Sequence, residues 1–403
     1  MAGDAVAVAD RLLEEGMAGR FDLVHLDPPF GSEADYLRRR ALTLGGERHQ
    51  LELAAYGDTD GGDLAGYLDG IYPLLCRYRE LLAEHGALYL HIDFRRGPYL
   101  RLLLDEIFGA ENLVNEIVWA YALGGSSRRR YQRKHDVIYF YARSVQKMYF
   151  QPPQEAATST MLAGQPKKAT DTWVSPDRDD GSPIERDWPD ELVRKTLSNR
   201  DPERTGYPTQ KPLALATRMV RASTPPGGRV LDLMAGSGTV GVAAALLGHE
   251  VVLGDRADAA LDVTRGRLLN AGVALTLHGV DGEGAWRRWP GPAPCLIKRQ
   301  KQANEAVLTG APLPWSGQGL RAKSQTAARL AAQASDDGTE LLGAWGIAQA
   351  HGEPARVLAF WDRGRQRERD PLCRRLAWRG GAKESLIWWA VDLLGRRWRA
   401  PIA

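Results

Sequence analysis

The stretch Leu23-Val24-His25-Leu26-Asp27-Pro28-Pro29-Phe30 decides the architecture that we expect for this chain. Its first four residues form a short, mostly apolar run, which predicts a fully buried strand of a parallel sheet. Because two prolines cannot continue a hydrogen-bonded ladder, the backbone leaves the sheet after Asp27 and holds a fixed, exposed shape. In open α/β sheets the ligand crevice lies outside the carboxyl ends of the strands, so the tetrapeptide Asp27–Phe30 is expected there.

This tetrapeptide presents groups that suit one kind of ligand. It offers the Asp27 carboxylate, the Pro28 carbonyl, which has no N–H of Pro29 beside it, and the Phe30 ring. A planar base with an exocyclic amine would use two of these as acceptors for its amine hydrogens and the ring for stacking. The alternative is a plain strand exit with a Pro-Pro kink, and the tetrapeptide alone favours neither interpretation.

A second strand–turn–helix pattern lies in the later half of the chain. Arg229–Leu233 predicts a strand, and Met234-Ala235-Gly236-Ser237-Gly238-Thr239 then opens a small-residue helix that runs to Leu247. Glycines let the backbone approach a ligand closely, so this pattern predicts a nucleotide-type pocket, although a lone Gly-x-Gly is weak evidence. The next strand, Glu250–Gly254, ends at Asp255, where an acidic residue can hold both hydroxyls of a ribose.

Helical and strand patterns alternate around these two motifs. Helices are predicted over Ala5–Glu15, 63–84, Pro98–Phe108, from Gln210 onward and over Asp258–Asn270, and further strands over Ala87–Ile92 and Val273–His278. Asp4 is the expected N-cap of the first helix and could also reach a cofactor. Asp93 ends its strand on the same rim as Asp27, and His91 is interpreted as a packed strand residue. The alternation predicts an α/β fold with a doubly wound, mostly parallel sheet.

Two regions between these elements have other patterns. Residues 31–62 are rich in Gly, Asp, Arg and Glu, which predicts a mobile loop over the site. Strands predicted at Val114–Ala122 and Val137–Ala142 bracket a basic segment with Arg128, Arg129, Arg130, Arg133 and Lys134. Five positive charges beside small residues and tyrosine suit a loop that contacts nucleic-acid phosphates, while the alternative is a solvated hairpin tip. Residues 151–204 lack periodicity and predict an irregular insertion.

Composition limits the classes of function. The 403 residues carry 53 basic and 50 acidic side chains, a net charge of +3, so any nucleic-acid surface must be local. Cys76, Cys295 and Cys373 lack metal-ligand spacing, which argues for a reducing compartment and against a zinc site. No apolar run approaches the ~20 residues of a membrane span, and no signal-peptide pattern is present, so a cytoplasmic protein is expected.

The composition changes again past Gly284. Pro, Gly and basic residues fill 286–302, a predicted linker, and most of the 12 tryptophans follow residue 285. Strands predicted at Leu341–Ala350, Arg356–Trp361 and Leu386–Leu394 indicate a small C-terminal α+β domain with no assigned chemistry, in which Trp388-Trp389 is interpreted as core. We therefore divide the chain into a catalytic half (1–115), a target-recognition insertion (116–204), a cofactor half (205–284) and an accessory domain (285–403).

Together these motifs resemble the amino-group DNA methyltransferases, in the permuted class whose catalytic half precedes the cofactor half. The chain carries Asp27-Pro28-Pro29-Phe30 first, then Thr209-Gln210-Lys211-Pro212, and then Asp232-Leu233-Met234-Ala235-Gly236-Ser237-Gly238-Thr239. Tyr67–Leu75, Gly86–Asp93 and Leu102–Asn112 are similar to the modification subunits of restriction systems. The resemblance covers residues 3–145 and 205–280, and the ordered combination is far more specific than any single motif.

The resemblance implies a Rossmann-like methyltransferase that uses S-adenosylmethionine and flips its target base out of double-stranded DNA. It implies catalytic roles for Asp27, Pro28, Pro29 and Phe30, whereas the DNA contacts expected for the five basic residues of the loop rest on their charge. The cofactor-binding residues that it implies are Gln210, Lys211, Pro212, Asp232, Met234, Gly236, Ser237, Gly238, Thr239 and Asp255, with Asp4 as a further candidate. A restriction endonuclease is an expected partner, and no metal is expected.

The chain departs from the family in two places, and alternatives stay open. Leu233-Met234 replaces the usual Pro-Phe, and a thioether can take the place of a ring against adenine. Only Met1-Ala2 precede Gly3, where the family has a strand; either Val273–His278 fills that place or the start codon lies elsewhere. The acidic Asp27 favours adenine-N6 over cytosine-N4 as the acceptor, RNA or another planar amine is a third option, and an inactive DNA-binding or cofactor-binding relic is the non-enzyme alternative.

Overall fold

The structure is a computed structural model, and it describes residues 1, 3–32, 34–44, 47–58, 63–121, 127–156, 166–173, 197, 201–273 and 275–277, with further strands between 287 and 402. For residues 39–54 and 155–167, and beyond 275, only the backbone is described. Within these ranges no helix combines the length and the apolar character that crossing a membrane requires.

Six helices and eleven strands make up the described chain as far as α6. The helices are α1 (Ala5–Glu14), α2 (Leu64–Leu81), α3 (Gly97–Phe108), α4 (Leu213–Ser223), α5 (Thr239–Leu246) and α6 (Asp258–Asn270), with a 3₁₀ turn at Ala110–Asn112. The strands are β1 (Phe21–Leu26), β2 (Asp35–Leu44), β3 (Glu47–Gly57), β4 (Leu82–Ile92), β5 (Leu113–Ala120), β6 (His135–Ala142), β7 (Gln154–Ala156), β8 (Pro166–Lys168), β9 (Thr172–Trp173), β10 (Arg229–Asp232) and β11 (Glu250–Leu253).

A seven-stranded sheet organises the molecule, in the order β11-β10-β1-β4-β6-β5-β9. Its neighbouring strands are parallel except where β6 lies antiparallel to both β4 and β5. Helices α1, α2 and α3 pack against one face, and α4 and α5 pack against the other. This is the doubly wound, Rossmann-like α/β fold that the alternation of strands and helices predicts.

The central strands are apolar because both faces of the sheet are covered. All six residues of β1 are buried, and burial of each leucine side chain contributes about 1.5–3 kcal/mol. In α2 the buried residues Tyr67, Ile71, Leu74, Leu75 and Tyr78 follow the helical period that predicted this element. Asp4 caps α1, as predicted, by accepting hydrogen bonds from the amides of Val6 (3.0 Å) and Ala7 (3.4 Å).

The described part of residues 31–62 forms a pair of strands in place of the mobile loop that its composition predicts. Strands β2 and β3 pair as an antiparallel hairpin, and Gly45-Gly46 separates their innermost paired residues, Leu44 and Glu47. Two glycines between two strand-length runs favour a tight hairpin because such turns need positive φ angles. On the strand leading into the hairpin, Arg38 Nη1 contacts Asp262 Oδ2 of α6 at 2.7 Å, and both side chains are buried.

The prediction that Val273–His278 completes the central sheet is wrong. Thr276–Leu277 (β12) pairs instead with a strand of a different, six-stranded sheet. The edge beside β11 is contacted by the start of the chain, where the Gly3 amide donates to the Asp255 carbonyl (3.1 Å) and the Asp255 amide donates to the Met1 carbonyl (3.2 Å). Local sequence patterns do not predict these hydrogen bonds, because they join residues that lie about 250 positions apart along the chain.

Strands from the predicted insertion belong to the central sheet. Strand β5 crosses the proposed boundary at residues 115 and 116, and β6 and β9 continue the sheet beyond it. The short hairpin β7–β8 lies between β6 and β9 along the chain. Most of residues 174–200 lie outside the described residues. The insertion therefore extends from a sheet that it shares with the catalytic half.

The C-terminal region contains the three predicted strands. They belong to the set β13 (Arg287–Arg288), β14 (Cys295–Arg299), β15 (Asn304–Leu308), β16 (Leu342–Gln349), β17 (Ala355–Asp362), β18 (Arg375–Trp378), β19 (Leu386–Asp392) and β20 (Arg397–Ile402). Together with β12, these strands form a six-stranded sheet, in the order β12-β17-β16-β19-β20-β13, and a three-stranded sheet, in the order β14-β15-β18. The described residues past 273 include strands and no helix, and the α+β assignment of this domain stays a prediction. The side chains of Trp388 and Trp389 lie outside the described part of the chain.

Candidate active site

The two sequence motifs meet because their strands are neighbours. Strand β1 pairs in parallel with β10, and His25 lies opposite Asp232. The chain therefore leaves the sheet side by side at Asp27 and at Leu233. A cavity of about 430 Å³ opens at this edge, and both the tetrapeptide Asp27–Phe30 and the glycine turn (Met234–Thr239) contribute to its walls. That volume lies in the range of small-molecule and cofactor sites.

Asp27 makes an ion pair with Lys211 inside this cavity. Lys211 Nζ lies 2.8 Å from Asp27 Oδ1 and 2.6 Å from Oδ2, and the Asp27 side chain is 21% exposed. Burial raises the pKa of Asp27, but the charge of the Lys211 ammonium and its hydrogen bonds act in the opposite direction, and the net shift is downward. Asp27 is therefore a carboxylate at neutral pH, held in place by a residue from the far half of the chain.

Hydrogen bonds hold the rest of the tetrapeptide loop. The Tyr67 hydroxyl donates to the Pro29 carbonyl oxygen (2.9 Å). The next two amides, of Gly31 and Ser32, donate to the two oxygens of Asp58 at 2.8 and 2.7 Å. Tyr67 comes from α2 and Asp58 from the end of the hairpin, so two separate elements fix the loop on which Asp27 lies.

Phe30 packs beside a buried polar network. Its ring centroid lies 6.0 Å from that of His91 and 5.2 Å from Lys211 Nζ. His91 Nε2 lies 3.1 Å from Asp136 Oδ2, and the Tyr121 hydroxyl donates to Asp136 Oδ1 at 3.0 Å. Burial and the charge of Lys211 lower the pKa of His91, so this histidine is neutral at pH 7. The expectation that His91 is a packed strand residue is consistent with this position.

The glycine turn has the backbone that its glycines predict. Gly236 and Gly238 have φ angles of +52° and +72°, which residues other than glycine rarely adopt. Gly236 lines the cavity, whereas Gly238 lies behind its wall, where an added Cβ would stand 2.6 Å from Thr264 Oγ1. Gly238 is thus needed for close packing against α6, and Gly236 for the surface that a ligand meets.

Asp255 lies beside the glycine turn on the wall of the cavity. Its Oδ2 accepts from the Gly236 amide (2.9 Å) and its Oδ1 accepts from the Ala257 amide (2.8 Å). Burial raises the pKa of Asp255 to about 6, although both backbone amides act in the opposite direction. Asp255 therefore tethers the glycine turn to the end of β11 and still presents its carboxylate to the cavity.

Two predicted cofactor residues have their polar atoms engaged by the protein. Asp232 Oδ2 lies 2.9 Å from His25 Nδ1, and its Oδ1 accepts from the Met234 amide at 3.1 Å. Gln210 Nε2 donates to the Glu203 carbonyl (2.8 Å), while its Oε1 accepts from the Thr205 amide (2.9 Å). Both residues line the cavity, and both hold its walls together.

The remaining predicted cofactor residues differ in their exposure to the cavity. Asp4, Lys211, Met234, Ser237 and Thr239 line it. Pro212 is not among the lining residues and forms the N-cap position of α4. The structure therefore gathers most of the predicted set at one cavity, with Gly238 and Pro212 as structural supports behind it.

Sequence reasoning missed the residue that locks the glycine turn. Arg267 Nη1 of α6 donates to the Ser237 carbonyl (2.8 Å) and to Thr239 Oγ1 (2.9 Å). Its Nη2 lies 3.4 Å from Glu203 Oε1, which also accepts from the Leu213 amide at 2.8 Å. Burial lowers the pKa of Arg267, but the group stays charged at neutral pH. No local motif marks these residues, because each acts on a partner far away in the sequence.

Three tyrosines on the cavity wall were also missed. The rings of Tyr36 and Tyr56 stack with centroids 4.8 Å apart, and Tyr207 continues the stack at 6.4 Å from Tyr56. The Tyr56 hydroxyl lies 3.0 Å from Thr209 Oγ1, and Thr209 has an unusual positive φ of 55°. Tyr36 and Tyr56 reach the cavity because residues 35–57 form a hairpin, and Gly45-Gly46 was the sequence signal for it.

The basic loop lies between β5 and β6. The Tyr121 amide donates to the Lys134 carbonyl at 2.8 Å, which closes the described base of this loop. Arg128, Arg129, Arg130 and Arg133 are exposed and Lys134 is half-buried. The placement fits both phosphate contacts and a solvated hairpin tip. Within the described residues there is no group of three or more His, Cys, Asp or Glu side chains placed to hold a metal ion.

Comparisons with known proteins find methyltransferases among the similar sequences. The type II methyltransferase M.HpaI of Haemophilus parainfluenzae is 26% identical over 227 residues, which cover 54% of this chain and 59% of that protein. The Mod subunit of the type III restriction-modification enzyme EcoP15I of Escherichia coli is 26% identical over 160 residues, 36% of this chain and 24% of that subunit. The chain thus spans less than two-thirds of either relative. The crystal structure of an M1.HpyAVI–SAM complex aligns with a TM-score of 0.42 and 17% identity, over 66% of this chain and 97% of that one.

A family model decides the assignment. The model described as DNA methylase (N6_N4_Mtase) matches residues 21–264, a range that begins at β1 and ends within α6. It therefore includes the tetrapeptide, the basic loop, the Thr209–Pro212 segment and the glycine turn, the features that surround or flank the cavity. The chain belongs to the N6/N4 DNA methylase family.

Proposed function

We propose that this protein transfers a methyl group from S-adenosylmethionine to the exocyclic amine of a base in double-stranded DNA, the N6 of adenine in preference to the N4 of cytosine. The meeting of Asp27 and the glycine turn at one cavity of about 430 Å³ carries this proposal. A methyl donor and a methyl acceptor must share one site for direct transfer, and the two strand ends supply one wall for each.

The residues of the cofactor wall fit S-adenosylmethionine. Each carboxylate oxygen of Asp255 accepts one backbone hydrogen bond and keeps a second lone pair for a ribose hydroxyl. An added Cβ on Gly236 would stand 3.4 Å from Tyr207 Cε1, so glycine keeps the gap beside the Tyr207 ring open. Met234 offers a thioether to the adenine ring. When bound, the cofactor supplies a methyl group that its sulfonium already activates.

Asp27 prepares the acceptor amine on the opposite wall. The lone pair of an aromatic amine is delocalised into its ring, so the amine is a weak nucleophile. The Asp27 carboxylate and the Pro28 carbonyl accept its two hydrogens, which localises the lone pair and aims it at the methyl carbon. The Phe30 ring stacks on the flipped base. As the N–C bond formed, the bond between the methyl carbon and the sulfonium sulfur would break, and the sulfur would leave as a neutral thioether. The nitrogen would gain the positive charge, and Asp27 would stabilise that charge until the surplus proton left to water.

Lys211 controls access to Asp27. Its ammonium contacts both Asp27 oxygens and fills the part of the cavity beside them, so we expect it to move away from at least one oxygen when the target amine enters. The same charge keeps Asp27 ionised before the base arrives. Lys211 therefore acts as a placeholder for the amine, and it lies in the Thr209–Pro212 segment that borders the cofactor wall.

The basic loop holds the DNA backbone. Arg128, Arg129, Arg130, Arg133 and Lys134 contact phosphates. Replacing Arg128, Arg129 and Arg130 together by Gln should weaken binding and lower the salt slope by about 0.9 for each phosphate that is no longer neutralised. Binding measured over a range of salt concentrations checks this, with Lys147→Gln as the control because Lys147 pairs with Glu84 at the surface. An unchanged slope would identify the loop as a solvated tip.

Tritiated methyl transfer to mixed-sequence duplex DNA, followed by digestion to nucleosides, tests the reaction. N6-methyladenine is the expected product. N4-methylcytosine would establish the cytosine alternative, which uses the same amine chemistry, and transfer to RNA alone would replace the substrate. Cofactor binding without transfer to any nucleic acid would favour an inactive relic. By similarity to a Mod subunit, a restriction endonuclease is the proposed partner.

A further inference from the structure

An exposed aromatic ring lies at the carboxyl end of β4, under a guanidinium group. Phe94 is 43% exposed, and Arg133 Cζ from the basic loop lies 3.6 Å from its ring centroid. Arg95 Cζ lies 5.9 Å from the same centroid. Arg133 is exposed, and no ion pair joins it to any residue that the structure describes. A ring and a guanidinium stacked at a surface are the groups that proteins use to stack on bases.

The backbone under Phe94 is firmly held. Buried Asp93 accepts from the Arg95 amide (2.9 Å) and from Arg95 Nε (2.8 Å), while its carbonyl accepts from the Gly97 amide at 2.9 Å. The turn thus leads directly into α3 and leaves little freedom on either side of Phe94. The ring stays partly open to solvent among the described residues, although the turn that presents it is rigid.

This turn lies beside the target wall of the cavity. Strands β1 and β4 pair so that Leu26 is opposite Leu90, which places Asp27 and the end of β4 on one rim. Arg96 packs against the tetrapeptide loop so closely that a Cβ on Gly31 would stand 2.6 Å from Arg96 Nε. The Arg96 guanidinium also lies 4.9 Å from the ring of Tyr67, whose hydroxyl holds Pro29.

We propose that Phe94 and Arg133 form a stacking wedge that enters duplex DNA and fills the space left by the flipped base. The inference rests on the proposed function, because a wedge is needed only where a base leaves the helix. The Phe94 ring stacks on the bases that bordered the target, and the Arg133 guanidinium extends that stack and faces the phosphates. Side chains inserted between base steps offset part of the cost of unstacking.

Binding to a duplex with a ready-made gap tests the wedge without any methyl transfer. The probes are a mixed-sequence duplex and the same duplex with one abasic site, whose vacant stack accepts the ring without base extrusion. Wild type should prefer the abasic duplex, and Phe94→Ala should abolish this preference, by about 5- to 150-fold for the removal of one stacked ring. Phe94→Trp should keep it. Phe150→Ala is the matched control, since Phe150 is 40% exposed and packs on Phe140 away from the rim.

Arg133 has its own pair of variants. Arg133→Lys keeps the charge and removes the planar stack, so it should reduce the abasic preference while leaving the salt slope unchanged. Arg229→Lys should change neither, because Arg229 pairs with Glu250 at the opposite end of the central strands. An abasic preference that survives Phe94→Ala, or is absent from wild type, would overturn the wedge.

Methyl transfer separates this inference from the function on which it rests. Phe94→Ala should slow transfer to duplex DNA and leave transfer to single strands of the same sequence within about twofold, since single strands need no wedge. Equal losses on both substrates would overturn the wedge and leave the methyltransferase standing. Wild type that methylates no DNA, yet shows a Phe94-dependent abasic preference, would overturn the proposed function and keep the wedge.

Discussion

The two walls of the cavity hold their carboxylates in opposite ways. On the target wall Asp27 pairs with Lys211, and nearby positive charge lowers its pKa although burial acts to raise it. On the cofactor wall Asp255 accepts hydrogen bonds from two backbone amides, and burial raises its pKa to about 6. An aspartate side chain is therefore a fixed anion at the target wall, as Asp27, and a titratable acceptor at the cofactor wall, as Asp255. The difference suits a wall that must attract amine hydrogens and one that must hold neutral hydroxyls.

The sharpest test of this contrast removes the target-wall carboxylate. Asp27→Ala should lower the rate of methyl transfer by a hundredfold or more, about 3 kcal/mol of transition-state stabilisation, and leave cofactor affinity nearly unchanged. The reason is spatial, because the polar contacts that shape the cofactor wall come from β10, β11 and α6. Asp10→Ala, which breaks a surface pair with Arg77, is the control. Transfer at the wild-type rate, measured with tritiated cofactor, would contradict the mechanism.

Gly236→Asp attacks the other wall and should reverse the pattern. A side chain at φ +52° strains the turn, and its carboxylate would lie near Asp255 in the cavity, so cofactor affinity should fall at least about tenfold. Titration calorimetry measures this affinity, with Gly248→Asp as a control because that glycine also has a positive φ but faces open space. Tight binding by Gly236→Asp would remove the cofactor from the glycine turn.

Cofactor affinity should depend on pH through Asp255. Its folded pKa of about 6 means that the carboxylate is lost as pH falls through 6, and hydroxyl donors then lose an ionised acceptor. Affinity should therefore drop about tenfold between pH 7 and pH 5, since one ionisation then opposes binding. A raised carboxyl pKa favours the folded state at low pH, so Asp255 itself does not cause unfolding there. Calorimetry on Asp255→Asn should give a flat profile, and an equal drop in that variant would assign the effect elsewhere.

Lys211→Met should raise the pKa of Asp27, so that the carboxylates of the two walls titrate more alike. Without the ammonium, burial dominates and the pKa of Asp27 rises, so the acid limb of the rate profile should move to higher pH. Transfer at high pH should persist, since the carboxylate is then ionised and free of its ion pair. Lys211→Arg should keep the wild-type limb. A profile unchanged in Lys211→Met would show that Lys211 does not set the charge of Asp27.

Local patterns were enough to predict the parts that a short stretch can specify. The strand before Asp27, the glycine turn and helix α2 (Leu64–Leu81) follow from hydrophobic period and backbone chemistry alone. The Asp4 cap follows in the same way, because a cap acts within one helical turn. The hairpin at 35–57 was equally local, but the polar composition around Gly45-Gly46 concealed it.

The sequence by itself therefore determined the fold class, the two motifs and the family, because each is written in residues that are neighbours along the chain. Tertiary structure alone decided that Lys211 meets Asp27, that Arg267 locks the glycine turn, that tyrosines line the cavity and that Arg133 covers Phe94. These contacts depend on strand order, since β1 pairs with β10 rather than with β2. The pKa of Asp255 belongs to this second group, because burial arises only when distant elements close around a side chain.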